Sequence, residues 1–142
     1  MTEGRLAKFL GLPPAERRLL VRALLLVALV RVGLWLCPYG RVRGWVARAG
    51  RPRGKARGAQ GAERIAWAVS TASRVVPGAS CLTQALAASM LLGREGIPHA
   101  VRIGILGGRA AGAPLRAHAW VQACGRVVLG ETADLGEFRE LR

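Results

Sequence analysis

The distribution of apolar residues divides the chain into a long apolar helix, a polar connecting segment and a mixed second half. The run from Leu19 to Cys37 is apolar nearly all round and ends before Pro38, which predicts a helix that is buried or lies in a membrane. Its length just suffices to span a bilayer. Arg22 and Arg31 lie inside the run, and each would cost about 2.5–3.5 kcal/mol near the bilayer centre. We therefore expect this helix to pack on its own domain or on a partner protein.

In the second half, the hydrophobic period changes from that of helices to that of strands. Residues 62–76 and 81–94 carry helical patterns, which the helix-breaking pair Pro77-Gly78 separates. Alternating patterns then predict strands at residues 99–106, 115–123 and 126–131. Two helices followed by antiparallel strands predict an α+β fold, in which helices pack on a small antiparallel sheet.

A Gly- and Arg-rich segment separates these two parts of the chain. Within residues 38–62 a short helix at 42–49 is compatible with the pattern, and residues 50–61 have the composition of a mobile basic linker. We therefore predict a helical, basic N-terminal extension over residues 1–60 and a compact core over residues 61–142.

The charge of the chain is strongly positive, because 22 Lys and Arg residues face 8 Asp and Glu residues, for a net charge of +14. The arginines are spread through apolar and Gly-rich sequence, and aromatic residues make up only 5%, so stacking platforms for nucleic acid are scarce. We expect no nucleic-acid partner. A solvated basic surface in an arginine-biased chain is the favoured interpretation. An acidic protein or peptide is a candidate partner, and contact with an anionic membrane surface is less favoured.

Few residues could carry catalytic chemistry. The three cysteines and two histidines occur in no CxxC or HExxH spacing, so the sequence predicts neither a metal site nor a cofactor. Three widely spaced cysteines do not form a disulfide framework. We therefore expect reduced thiols and a cytoplasmic location.

Cys81 is the first catalytic candidate. It follows turn sequence, and Ser80 is a suitable N-cap, so Cys81 is expected at the first position of a helix. There the unpaired N–H groups and the positive end of the helix dipole favour a thiolate and can stabilise an oxyanion. Gln84 lies three residues further on the same helix face, where it could orient substrate or support the oxyanion. A buried apolar role for Cys81 and a packing role for Gln84 are the alternatives.

His118 is the candidate base. A regular two-residue hairpin turn after Ala123 would place His118 directly opposite Glu131 on one sheet face. A carboxylate there would hold the imidazole in one tautomer and stabilise its charged form. A bulge or a slip of one residue would break this register, and Asp134 would then be the better acid. A structural histidine beside Trp120 is the alternative interpretation.

Five short motifs stand out in the second half of the chain. They are Ser80–Ala87 (SCLTQALA), Leu91–Pro98 (LLGREGIP), Val101–Gly104 (VRIG), Ala117–Val121 (AHAWV) and Gly125–Val128 (GRVV). Together they resemble the core of the lasso peptide biosynthesis leader peptidases, which are similar to the transglutaminase-like, papain-related cysteine proteases. The resemblance covers about residues 62–135, over half of the chain.

The resemblance implies a transglutaminase-like cysteine protease core with a catalytic group of three residues. Cys81 would be the nucleophile and His118 the general base and then acid. An acidic residue on the following strand, Glu131 or Asp134, would orient the imidazole. The enzyme would cut a leader peptide from a ribosomally made lasso peptide precursor, next to a Thr near the leader's end.

The resemblance also implies partners. These are the precursor peptide, a separate small leader-recognition protein and an ATP-dependent macrolactam cyclase that is similar to asparagine synthetase. In some members the recognition domain is fused at the N-terminus as a small winged helix. Residues 1–60 are helical and basic instead, so the chain resembles the stand-alone peptidase.

Two other functions are compatible with the same sequence. If an amine replaces water as the acceptor, Cys81 and His118 would make the protein an acyl or amide transferase. If neither residue is catalytic, residues 1–60 would make it a basic helical adaptor that binds a partner protein or an anionic membrane.

Overall fold

The structure is a computed structural model that describes residues 2–52, 58–107, 112, 116–133 and 135–141. Five helices precede a small sheet in the chain. The helices are α1 (Thr2–Leu10), α2 (Pro14–Leu36), α3 (Tyr39–Ala49), α4 (Ala59–Ser73) and α5 (Cys81–Arg94). Five residues of the predicted linker, 53–57, lie outside the described residues, as does most of the loop between the first two strands. The last three residues of the predicted linker, 59–61, belong to α4 instead.

The sheet is antiparallel and follows the helices. Its strands are β1 (His99–Leu106), β2 (Arg116–Ala123), β3 (Arg126–Leu129) and β4 (Arg139–Glu140), in the spatial order β3-β2-β1-β4. A short 3-10 turn, Leu135–Glu137, precedes β4. The predicted α+β fold, with helices packed on a small antiparallel sheet, is confirmed.

Helix α5 is the centre of the core. It contacts α2, α3 and α4 on one side and β1 and β2 on the other, so most of its side chains are buried. Thr83, Leu86, Met90 and Leu92 are at most 2% exposed. A sequence that is apolar on nearly every face is required of a helix enclosed in this way, and the enclosure fixes the position of the first residue, Cys81.

Helix α2 packs on the domain through one face only. Ala23, Val27 and Val30 are fully buried and pack towards α4 and α5. By length and composition alone α2 could cross a membrane. Only 22% of its most apolar 18-residue window is buried inside the domain, so most of this window is exposed. The helix begins at Pro14, earlier than the apolar run, because proline is well suited to the first turn.

The core continues across the predicted boundary at residue 60. Val27 and Val46 precede that boundary and Val69 and Leu86 follow it, and all four belong to one buried cluster. The division into an extension over residues 1–60 and a core over residues 61–142 stays a prediction.

Helices α3 and α5 approach each other at two glycines. A Cβ at Gly93 would lie 2.1 Å from the carbonyl oxygen of Gly50, so only glycine allows this backbone contact. Arg94 strengthens the same junction, since its Nε donates to the carbonyl of Ala49 at 3.0 Å.

We expect Gly93→Ala to lower the free energy of unfolding by about 1–3 kcal/mol, because the added methyl group forces the two helices apart. Gly44→Ala is the matched control, since a Cβ there meets only Arg48 Nη2 at 3.9 Å in a helix interior. It should raise stability by about 0.5–1 kcal/mol. Urea denaturation measures both. Equal stabilities of the two variants would contradict the described junction.

Candidate functional site

Cys81 is the first residue of α5, and Ser80 caps the helix as predicted. Ser80 Oγ accepts a hydrogen bond from the backbone N–H of Thr83 at 3.3 Å and lies 3.1 Å from Thr83 Oγ1. The Ser80 carbonyl accepts from the N–H of Gln84 at 3.0 Å. Thr83 is 1% exposed, so the cap is tied into the core. The thiol of Cys81 is free and half-buried.

The first turn of α5 also leaves donors available. Ser80 satisfies the amides of Thr83 and Gln84, whereas no described residue accepts from the amides of Cys81 or Leu82. Unpaired N–H groups at a helix N-terminus bind negative charge. The two amides therefore lie where an oxyanion formed next to Cys81 Sγ could accept hydrogen bonds.

Arg31 contributes to the turn before Cys81, which the sequence did not indicate. Gly78 has a φ of +71°, and a Cβ there would lie 2.8 Å from Arg31 Nε. The guanidinium of α2 therefore fills the space beside the turn and places a positive charge near the start of α5. From the sequence, Arg31 counts only as a cost to a membrane helix, because nothing in the pattern relates α2 to residue 78.

His118 lies in β2 within an aromatic cluster. Its ring centroid is 6.1 Å from that of Trp120, in a stacked arrangement, and 5.6 Å from that of Phe138. Its β1 partner is Gly104, where a Cβ would come within 2.9 Å of both the Trp120 ring and Phe138 Cβ. The absence of a side chain at Gly104 thus makes room for the cluster.

A main-chain carbonyl orients the imidazole of His118. His118 Nε2 lies 2.6 Å from the carbonyl oxygen of Gly130. Because a carbonyl only accepts, Nε2 must carry the hydrogen, and in the neutral ring Nδ1 then holds the lone pair. Gly130 adopts a φ of +84°, and a Cβ there would meet the Ala119 carbonyl at 2.9 Å. Glycine is therefore needed to bring this carbonyl to the ring.

The predicted hairpin register is wrong beyond its first two pairs. Ala123 pairs with Arg126 as expected, but Val121 pairs with Leu129, one residue further than a regular hairpin would give, because a bulge interrupts the strands between Val121 and Gln122. Strand β3 ends at Leu129, so Glu131 lies beyond it and is exposed.

The bulge removes the geometric reason for placing Glu131 opposite His118. The alternative acid, Asp134, lies outside the described residues. The identity of the acid that acts with His118 therefore stays a prediction with the two candidates open.

The chain connections indicate that Cys81 and His118 lie towards the same end of the sheet. Helix α5 and β1 are joined by a short turn and run in opposite directions, and Ser89 Oγ lies 2.8 Å from His99 Nε2, which sets their relative level. From Ser89 back to Cys81 the helix rises ~12 Å. From His99 to Gly104, the partner of His118, the strand advances ~16 Å. The two candidate residues thus lie at similar levels.

The two faces of β2 differ, and His118 does not share the face on which α5 packs. Ala119, Val121 and Ala123 belong to the core beneath the helices. Successive residues of a strand point to opposite faces, so His118 and Trp120 project to the other side. His118 lies only two residues from the start of β2, close to the end of the sheet.

Cys81 and His118 form no hydrogen bond in this structure. Cys81 Sγ has no hydrogen-bond partner among the described residues, and His118 Nε2 is directed at Gly130. Catalytic hydrogen bonds are often long or open before substrate binds and tighten in the complex. The structure therefore shows no contact between Cys81 and His118, and their action as a pair stays a prediction.

The other candidate residues have simpler surroundings. His99 bonds to Ser89 through Nε2 and to the Ile97 carbonyl through Nδ1 at 2.9 Å, so it joins α5 to β1. Gln84 is half-buried one turn after Cys81, and its proposed role towards substrate stays a prediction. Cys124 is exposed in the hairpin turn.

Among the residues with described positions, no group of three His, Cys, Asp or Glu side chains is arranged to hold a metal ion.

The family of the chain follows from comparison of its sequence with known protein families. A family model described as the transglutaminase-like superfamily matches residues 22–142, more than four-fifths of the chain. The chain belongs to the transglutaminase-like superfamily. No curated protein and no solved structure matches it significantly.

Membership in the transglutaminase-like superfamily indicates which reactions the site could catalyse. Proteins with this fold are commonly cysteine proteases or transferases, and the fold is compatible with either activity. The family match begins within α2 and includes Cys81 and His118. The transglutaminase-like core predicted from sequence is thus confirmed at the level of fold and superfamily.

We expect Ser80→Ala to lower the free energy of unfolding by about 1 kcal/mol, because the N–H of Thr83 loses its acceptor at the start of α5. Ser80→Asp retains a capping oxygen and should keep close to the wild-type stability. Thermal unfolding followed by circular dichroism measures the difference. If Ser80→Ala unfolds at the wild-type temperature, the cap does not hold the Cys81 turn.

Proposed function

We propose that this transglutaminase-like protein is a cysteine peptidase that removes the leader peptide from a ribosomally synthesised lasso peptide precursor. It would act with a small leader-recognition protein and an ATP-dependent macrolactam cyclase, in the cytoplasm. The observation that carries the proposal is the position of Cys81, at the capped N-terminus of a buried helix in a chain of this superfamily. The AHAWV and GREGIP motifs support the choice of substrate by resemblance.

The chemistry begins with acylation of the thiol. Cys81 Sγ attacks the carbonyl carbon of the scissile amide, and the new oxyanion accepts hydrogen bonds from the amides of Cys81 and Leu82. His118 takes the thiol proton at Nδ1 and delivers it to the leaving nitrogen. The C–N bond breaks, the amine product departs and a thioester on Cys81 remains.

Hydrolysis of the thioester completes the cycle. His118 removes a proton from water, whose oxygen attacks the thioester carbonyl. The C–S bond breaks, the carboxylic acid leaves and the proton returns to Cys81. In the free protein the Gly130 carbonyl accepts from Nε2–H of His118, so Nδ1 is the ring nitrogen that faces the reaction in both halves. An acid that acts with His118 would replace this carbonyl at Nε2 when the site closes.

The thiol and the imidazole must approach each other for this sequence of steps. The two residues lie at the same end of the α5–sheet unit but are not hydrogen-bonded. Binding of the precursor with its recognition protein supplies the energy for closure in this proposal. The isolated protein should accordingly be a poor peptidase compared with the complex.

We expect Cys81→Ala and His118→Ala each to lower leader cleavage at least about 10³-fold, because each removes one of two groups that act as a unit. Cys124→Ala and His99→Gln are the matched controls, since Cys124 is exposed and His99 serves packing. Their cleavage rates should remain within a few-fold of wild type. Mass spectrometry of a precursor incubated with the recognition protein measures free leader and core peptides.

The same assay distinguishes the alternatives. An added amine joined to the new C-terminal carbonyl of the leader would show an acyl transferase, and this would contradict hydrolysis as the physiological reaction. Full activity of both the Cys81 and His118 variants would show that neither residue is catalytic, which would contradict the peptidase proposal and favour the adaptor alternative.

We expect one of the two acids to be required with His118. Since the bulge between Val121 and Gln122 shifts the register that Glu131 needs, Asp134→Asn should lower kcat about 10²–10⁴-fold, whereas Glu131→Gln should change it less than threefold. Steady-state cleavage rates of the two variants measure this. A large loss of kcat in Glu131→Gln together with an active Asp134→Asn would instead show that Glu131 is the acid that acts with His118.

A further inference from the structure

Helix α2 exposes a second apolar face opposite the one that enters the core. We call this face the apolar stripe. It consists of Val21, Leu25, Leu29, Val32 and Leu36, spaced by four, four, three and four residues. This spacing keeps them on one side of a helix over ~22 Å. Each member is at least 43% exposed, and Leu36 reaches 71%.

An arginine-lined cleft adjoins the apolar stripe. Two neighbouring cavities of about 240 and 420 Å³ share Arg22 and Glu95. We call them together the arginine cleft, which is lined by Arg18, Arg22, Arg64 and Arg94, with Glu95 as its acid. Four guanidinium groups against one carboxylate leave an excess of positive charge. Leu25 belongs both to the cleft and to the stripe.

The sequence around this surface lacks acids. From Arg17 to Ala62 the chain has eleven Arg and Lys residues and no Asp or Glu. At the far end of the apolar stripe, Trp35 is 78% exposed and Tyr39 36% exposed. Trp and Tyr have an apolar body and a polar tip, which suits the boundary between water and lipid.

We propose that the apolar stripe and the arginine cleft dock the protein on anionic phospholipid membranes. Phosphate oxygens of the lipid headgroups would bind the guanidinium groups of the arginine cleft, and the stripe would enter the adjacent acyl region. An anionic phospholipid has a phosphate group next to its acyl chains. Arg22 and Leu25, which line the same cavity, offer a partner for each. The peptidase would then work at a membrane surface.

The docking is peripheral and does not span the bilayer. Ala23, Val27 and Val30 on the opposite side of α2 are fully buried against the rest of the domain. Insertion of the whole helix would remove these side chains from the core, whereas docking through the apolar stripe leaves the fold unchanged. The surface basic groups make the binding electrostatic as well as hydrophobic, so salt should weaken it.

The test is flotation of the full chain with phosphatidylcholine vesicles, prepared with and without phosphatidylglycerol. The wild type should float only with vesicles that contain phosphatidylglycerol, and salt should reduce the bound fraction. Arg18→Gln/Arg22→Gln and Leu25→Gln/Leu29→Gln should each weaken binding about tenfold or more. The matched controls are Arg74→Gln/Arg139→Gln and Val75→Gln/Leu141→Gln, which change exposed residues elsewhere and should bind like wild type.

Four results would overturn the proposal. One is failure of the wild type to float with anionic vesicles. A second is equal loss of binding in the controls, since this would show only a response to net charge. A third is resistance of the bound protein to high salt and alkaline carbonate, which would indicate a spanning helix. A fourth is self-association in light scattering that the Leu25→Gln/Leu29→Gln variant abolishes while vesicle binding persists, which would make the stripe an interface between copies.

Discussion

The enclosure of α5 is the constraint on which the rest of the structure depends. Three helices cover one side of α5 and two strands cover the other, so its residues have little freedom to shift along or around the helix axis. The first turn is held in addition by Ser80, whose hydroxyl and carbonyl occupy two of the otherwise unpaired amides. A thiol at this point is therefore fixed by the burial of the whole helix and by its cap. Such support from a rigid element is what a catalytic nucleophile requires.

The same packing explains the contrast between the two faces of α2. The domain needs only one face of α2 to cover α4 and α5, and Val27 and Val30 provide it. The other face is as apolar but is exposed, which is why the sequence pattern alone indicates a helix that is buried or in a membrane. The helix is half core and half exposed surface, so an apolar pattern on all sides does not show what covers the exposed half.

Local patterns could be predicted where a single element decides them. The bounds of α5 and β1 and the cap at Ser80 follow from turn residues and hydrophobic period, and the structure has them where the sequence indicates. The pairing of Glu131 with His118 required a hairpin register, and one bulge shifts a register without a clear sequence signal. The Gly130 carbonyl that orients His118 could not be found either, since it depends on that bulge and on a left-handed glycine. Long-range contacts such as Arg31 with Gly78 have no sequence pattern at all.

In the proposed function, Cys81 and His118 act as one reactive pair although they are not hydrogen-bonded in the free protein. The most direct measurement is the rate at which iodoacetamide alkylates Cys81 at neutral pH, in a chain whose Cys37 and Cys124 are replaced by serine. If the imidazole reaches the thiol in solution, His118→Ala should slow alkylation at least about tenfold, because the thiolate is the nucleophile and loses its proton acceptor. Equal alkylation rates with and without His118, both in the free protein and in the presence of precursor and recognition protein, would contradict the account.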